Sequence, residues 1–318
     1  MALFTRAFFV NLSDMFAIDG RLLGKRISIC PSNEYVLTIV IPTIVHKGDR
    51  LVLGIPDALN KYGVDQGDWG RWNRYKAVDD VNTFDACISA IIVECKGNDL
   101  DATTSFSEIH SKGNDLVYAL QIINPDAIRI CSDRSSIDLC NISTEVNISE
   151  DGSPQPEIHV DLSFDRKEGK LTFVDFKHAI RNINKTVSIP YKMLDNARIN
   201  LSRHDTRSSV LHCATAIEVA LKKIIIAYLD TKVTDSLLKD YVLKQADGYS
   251  KLVELCKKCS ISLAGLPNVK ETVVDIRNRV IHGGYVPTRQ EASVAYDKTR
   301  QALSVLKTPM FEEKESDV

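Results

Sequence analysis

The chain has 318 residues, of which 44% are hydrophobic and 26% charged, and a formal net charge of -2. That length exceeds what one core ordinarily organises and predicts two domains of ordinary globular composition. The near-neutral balance excludes a global basic field for nucleic acid, so any phosphate site must be local. No apolar run approaches the roughly 20 residues of a membrane span, so no membrane partner is expected.

The opening Met-Ala-Leu-Phe-Thr-Arg-Ala-Phe-Phe-Val is too short and too soon polar for an export signal. The eight cysteines are Cys30, Cys87, Cys95, Cys131, Cys140, Cys213, Cys256 and Cys259, and most sit inside apolar runs. There a free thiol behaves as a small hydrophobe, which predicts reduced thiols and a cytoplasmic location. Cys256-Lys-Lys-Cys259 lacks the second ligand pair that zinc needs, so no metal and no cofactor are expected.

Residues 1–187 read as an antiparallel, β-rich domain with a sensing or regulatory role. Tyr35 to Ile41, Ile88 to Cys95, Leu116 to Ile123 and Ala127 to Cys131 are apolar, β-branched runs. Ile158 to Phe164 alternates, Asp165-Arg-Lys-Glu-Gly169 turns, and Leu171 to Val174 returns, which predicts a hairpin. Lys61 to Asp80 reads as a long polar loop, followed by a helix near Val81. Within that loop Trp69, Arg71, Trp72 and Arg74 interleave aromatic rings with guanidinium groups. Such a set suits a nucleotide or single-stranded nucleic acid, although a loop pinned by its tryptophans produces it too. Asp175-Phe-Lys177, with Glu157, Asp161 and Asp165 upstream, matches the order of a metal-dependent nuclease hairpin. Exposed strand carboxylates give the same pattern more often.

Around Pro190 the hydrophobic period switches to that of helices. Residues 188–308 therefore read as an antiparallel helical bundle, making the whole an α+β, two-domain chain. A short helix covers Tyr191 to Leu201. A long one follows, with Val210, Ala214, Ile217, Leu221, Ile224 and Tyr228 as its buried stripe. Helices at Asp235 to Gln245 and Tyr249 to Cys259 come next. Val269, Val273, Ile276 and Val280 form another stripe, ended by Gly283-Gly284. Thr288 and Glu291 spell a capping box opening the last helix, which carries Ala292, Ala295, Thr299, Ala302, Leu303 and Leu306. Pro309 ends it, and 309–318 reads as an acidic, disordered tail.

The stretch with most chemistry is Arg277-Asn278-Arg279-Val280-Ile281-His282-Gly283-Gly284, at the end of a bundle helix. Arginine binds phosphate with a planar fork of donors, and histidine moves protons near neutral pH. On an ideal helix, residues five apart differ by about 140° and about 7.5 Å of rise, so Arg277 and His282 do not share a face. They meet only if the helix unwinds at Gly283, or if a second copy supplies the partner across a two-fold axis. A tidy helix end gives the same residues, because cations and glycines suit helix C-termini. Arg207 and His212 repeat the spacing without the asparagine and glycines. Glu218, beside the stripe of the long helix, is a supporting candidate, as is Tyr285. The alternatives for them are a pair with Lys222 and a packed loop aromatic.

Pro190 to Tyr228, with Met193-Leu-Asp-Asn-Ala197 and Asp205 to Leu221, resembles the opening helices of HEPN domains. Arg277-Asn278-x-x-x-His282 resembles that family's R-x(4–6)-H motif, closest to the Apea-like branch. His212 departs from the family pattern, which often has an acidic residue there. The resemblance implies a dimerising bundle and a metal-independent endoribonuclease, a toxin or antiphage effector. It makes Arg277, Asn278 and His282 catalytic, RNA (tRNA included) the substrate, and a phage-derived trigger a partner for the N-terminal domain. It equally allows an inactive module that binds RNA, nucleotide or protein, or a partner of a nucleotidyltransferase.

Overall fold

A computed structural model of the chain describes residues 3–29, 35–47, 50–54, 70–73, 85–98, 102–129, 141–148, 154–161 and 169–314. The chain divides into two compact units between Asn184 and Lys185. Structure is mixed α and β, and every named strand pair is antiparallel.

The first unit is built on a sheet of order β2-β3-β7-β1-β8. These strands are β1 (Leu3–Asp19), β2 (Arg26–Ile29), β3 (Tyr35–Val40), β7 (Asp85–Asn98) and β8 (Ile128–Arg129). β1 runs beside β7 along its length, with a register shift between Asn11 and Phe16. The other edge of β7 takes two strands in succession. Ile92 to Gly97 pair with β3, and Asp85 to Ile88 pair with β6 (Gly70–Asn73). β4 (Thr43–Lys47) and β5 (Arg50–Gly54) make a separate hairpin. α1 (Ala102–Ile123) packs on β1 and β7, burying Leu116, Val117, Leu120 and Ile122. Phe16, Ile18, Leu37, Ile39, Ile91 and Val93 are buried in the sheet.

Several expectations change here. Leu116 to Ile123 is the end of α1, not a strand. A run apolar on every side looks alike in a buried strand and a buried helix, and here helix length decides. Among the described residues the predicted hairpin does not form. β10 (Pro154–Asp161) pairs with β9 (Asn141–Ile148), upstream of it. Leu171 bridges Ile18 in parallel, and Thr172 caps α2 (Phe173–Arg181). Thr172 N–H and Oγ1–H both donate to Asp175 Oδ2, at 2.7 and 2.9 Å, so Asp175 closes a capping box. It is thereby committed to the helix rather than to a hairpin metal site. Gly169 is needed for room rather than for a turn, since a Cβ there would lie 2.5 Å from the Asp126 backbone. The segment read as one polar loop contains β6. The expected helix near Val81 falls on 81–84, outside the described residues, and Asp85 already belongs to β7.

The second unit is helical. α3 (Ile189–Ser202) starts with Pro190 in its first turn. α4 (Thr206–Lys232) is central, and α3, α5 (Ser236–Gln245), α6 (Tyr249–Lys258), α7 (Asp275–Gly283) and α8 (Arg289–Val305) all pack on it. Val210, Ala214, Ile217 and Leu221 are buried as expected, but Ile225 and Leu229 take over from Ile224 and Tyr228. From Ile217 on, the buried positions recur every four residues (Ile217, Leu221, Ile225, Leu229) rather than alternating between four and three.

The tail is also corrected. β12 (Phe311–Glu312) pairs with β11 (Thr186–Val187). Ser188 Oγ–H donates to the Pro309 carbonyl at 2.7 Å, and Lys223 and Lys185 form ion pairs with Glu312 and Glu313. Residues 315–318 lie outside the described residues.

Candidate functional site

The octapeptide occupies the last two turns of α7 and the residue beyond it. A wide π turn, Lys270–Val274, leads into this helix. Val273, Ile276 and Val280 face the core and are at most 6% exposed. The helix is continuous through Gly283 and ends on Gly284 at φ 63°, a left-handed conformation that glycine adopts without steric cost. Gly284 N–H and Tyr285 N–H both donate to the Arg279 carbonyl. Unwinding before Gly283, one of two ways to join Arg277 to His282, is therefore absent. Within one chain the two residues stay about 140° apart around the axis.

The two arginines have different surroundings. Arg277 is half-buried and its Nη1 donates to the neutral Asn278 Oδ1 at 3.0 Å. Among the described residues it has no carboxylate partner. Arg279 is held instead by Glu291, with Nη2 3.3 Å from Oε1, and its guanidinium lies 4.2 Å from the centre of the Tyr285 ring. His282 is exposed, and no described residue bonds its imidazole.

Glu291 is the hub of this end of the helix. Tyr285 O–H donates to both of its oxygens, at 3.0 and 2.9 Å, and Thr288 N–H donates at 2.8 Å. Bonding from the Thr288 backbone, and then from Tyr285, holds the Glu291 carboxyl below its ordinary range. Reciprocally, the bond to Glu291 pushes the Tyr285 hydroxyl up. Thr206, buried at the start of α4, donates to the Pro287 carbonyl at 2.7 Å and ties the same loop down. Tyr285 thus serves as a brace, one ring face taken by Arg279. The capping box was readable, but the Tyr285 and Arg279 contacts cross a loop at spacings that no helical rule encodes.

Glu218 lies half-buried on α4 and forms no ion pair with Lys222. Trp69 and Arg74 fall outside the described residues, while Arg71 and Trp72 lie on β6, opposite Cys87 and Ala86. Of the carboxylates upstream of Lys177, Asp165 is likewise outside them. Among the described residues no three metal-ligating side chains converge, and no helix is long and apolar enough to cross a membrane. A buried ion pair that spacing did not flag joins Asp195 to Arg198 on α3, at 2.9 Å.

Protein-family models, characterised proteins and solved structures yield no match to the chain. The functional reading therefore stands on these residues and on the motif they spell.

Proposed function

We propose that the chain is a metal-independent endoribonuclease of the HEPN type, a toxin or antiphage effector whose site is shared by two copies. The observation that carries this reading is the contrast within the motif. Arg277 keeps an uncompensated charge beside Asn278, and His282 presents a free imidazole, while Arg279 is neutralised by Glu291. A helix end by itself favours cations and glycines but does not call for this contrast between Arg277 and Arg279.

RNA supplies its own nucleophile. An imidazole takes the proton of the 2′-hydroxyl as its oxygen attacks phosphorus, and a second imidazole, from the other copy, protonates the departing 5′-oxygen. The phosphorus–5′-oxygen bond breaks, leaving a 2′,3′-cyclic phosphate and a 5′-hydroxyl. Arg277 offsets the charge that builds on the phosphate oxygens. Asn278 orients the guanidinium. DNA lacks the 2′-hydroxyl and is spared.

The test is labelled tRNA incubated with purified full-length protein, with and without EDTA. Cleavage is expected in both, abolished by His282→Ala and by Arg277→Ala, and retained by Arg279→Ala. Retained cleavage in either of the first two variants, or loss with EDTA, refutes the mechanism. RNA binding without cleavage by the wild-type chain supports the inactive-module reading instead.

A further inference from the structure

α5 is unlike every other helix of its unit in that it buries none of its ten residues. Leu237 is 78% exposed, Leu238 49% and Tyr241 62%, and Ile226 on the neighbouring turn of α4 is 40% exposed. Four large apolar side chains on one short helix and its neighbour form a patch, whereas such residues scattered singly need no explanation. Between α4 and α5 runs an open groove of about 450 Å³, lined by Lys222, Ile226, Asp240, Leu243, Lys244 and Asp247.

The charges around the patch point to its occupant. Lys222, Asp240, Lys244 and Asp247 include two cations and two anions, and none has an ion-pair partner among the described residues. Lys239, on the inward side of α5, does: it holds Asp230 at 2.7 Å. On an ideal helix, Asp240 and Lys244 lie about 40° apart, one turn from each other, side by side along the groove-side edge of Leu237 and Tyr241. A surface with equal and opposite unpaired charges spaced along one helix is complementary to its own antiparallel copy. A two-fold axis passing between two copies of α5 at the level of Val242 sets Asp240 of each copy opposite Lys244 of the other. Both pairs form at once, because a two-fold contact repeats every interaction. The same operation brings Tyr241 against its own copy near the axis and covers the apolar patch.

We infer that α5 is a self-association surface, in which two copies of the chain pair antiparallel through Tyr241, Leu237 and reciprocal Asp240–Lys244 contacts. A ten-residue helix is only about 15 Å long, well short of the area that a standard interface buries. The association is therefore weak and concentration-dependent. It is a different face from the end of α7 and does not rest on the nuclease reading.

Sedimentation equilibrium of the full chain over a wide concentration range tests it. The wild-type protein is expected to show a doubling step, from monomer to dimer, or from dimer to tetramer if α7 also pairs. Asp240→Lys places lysines opposite lysines, and Lys244→Asp places aspartates opposite aspartates. Each alone is expected to weaken that step by about tenfold or more, since like charges across an interface are strongly disfavoured. Mixing the two variants restores it as a heterodimer, because each then offers the other its complement. Circular dichroism of both variants checks that the helices are retained, as expected for exposed positions. Absence of a doubling step in the wild type overturns the inference. So does association of either single variant at wild-type strength, or a mixture no stronger than its components, which would mark α5 as a site for a different partner.

Discussion

Replacing Glu291 by alanine removes the junction between α7 and α8 at its hub. Three contributions are lost. The capping box contributes about 1 kcal/mol. The bonds from the Tyr285 hydroxyl, charge-assisted but open to solvent, are lost with it. The Arg279 pair, whose side chains are 52% and 30% exposed, adds no more than about 0.5 kcal/mol. The loss is at least about 1 kcal/mol, read as a lower urea midpoint at unchanged slope in the helical circular-dichroism signal. pH supplies an independent check. The Glu291 carboxyl is held below its ordinary value, so the folded state binds its proton less tightly than the unfolded chain. Its stabilisation is complete above the unfolded value of about 4.5 and disappears as pH falls through the folded one. Tyr285 is shifted upward, so its share is complete below about pH 10 and lost as pH rises beyond that. The gap between wild type and Glu291→Gln should accordingly close in acid. A cost for Glu291→Ala under about 0.5 kcal/mol, or a wild-type-to-glutamine gap that stays level from neutral pH into acid, would falsify the account of the junction.

Two further outcomes are expected. Asp195→Ala strands the Arg198 guanidinium, whose side chain is 9% exposed, and should cost about 3–5 kcal/mol in a denaturant melt. The double change Asp195→Leu with Arg198→Met should recover most of that loss, and an equal cost for single and double variants counts against the buried pair. Burial pushes the Cys213 thiol up to about 12 and Cys256 to about 11, while Cys259 is half-exposed. An alkylating reagent at pH 8 should modify Cys259 well before Cys213 in the folded protein, as followed by peptide mass spectrometry. Equal rates would contradict that burial.

Much of the second unit was legible because its signals are local. Thr288 and Glu291, Gly283-Gly284, Pro190 and the stripe from Val210 to Leu221 each depend on residues within two turns. Thr172 to Asp175 carries the same capping signature as Thr288 to Glu291. It was masked by an alternating run upstream that invited a hairpin. In a sheet, pairing partners are chosen by long-range register, so β10 can prefer β9 over whatever follows it. The succession of β3 and β6 along one edge of β7 is of the same kind: no local pattern announces it. In the site, the sequence named Arg277, Asn278 and His282 by their spacing but could not show how the charge of Arg279 is held. That hold comes from Glu291 and Tyr285, which reach Arg279 across a loop.

The short ladder between β11 and β12 brings the two ends of the helical unit side by side. Topologically the unit is a nearly closed ring, entered and left at one point. A permuted chain, opened in a surface loop and joined where β11 meets β12, would keep every helix contact. The ring also closes last in chain order, so α3 to α8 can pack before the ladder forms. Joining the ends of so long a loop costs little more entropy than joining one of half the length. The ladder thus clasps the two ends of the unit together, and insertion of that unit into another protein would need only a short linker at each side.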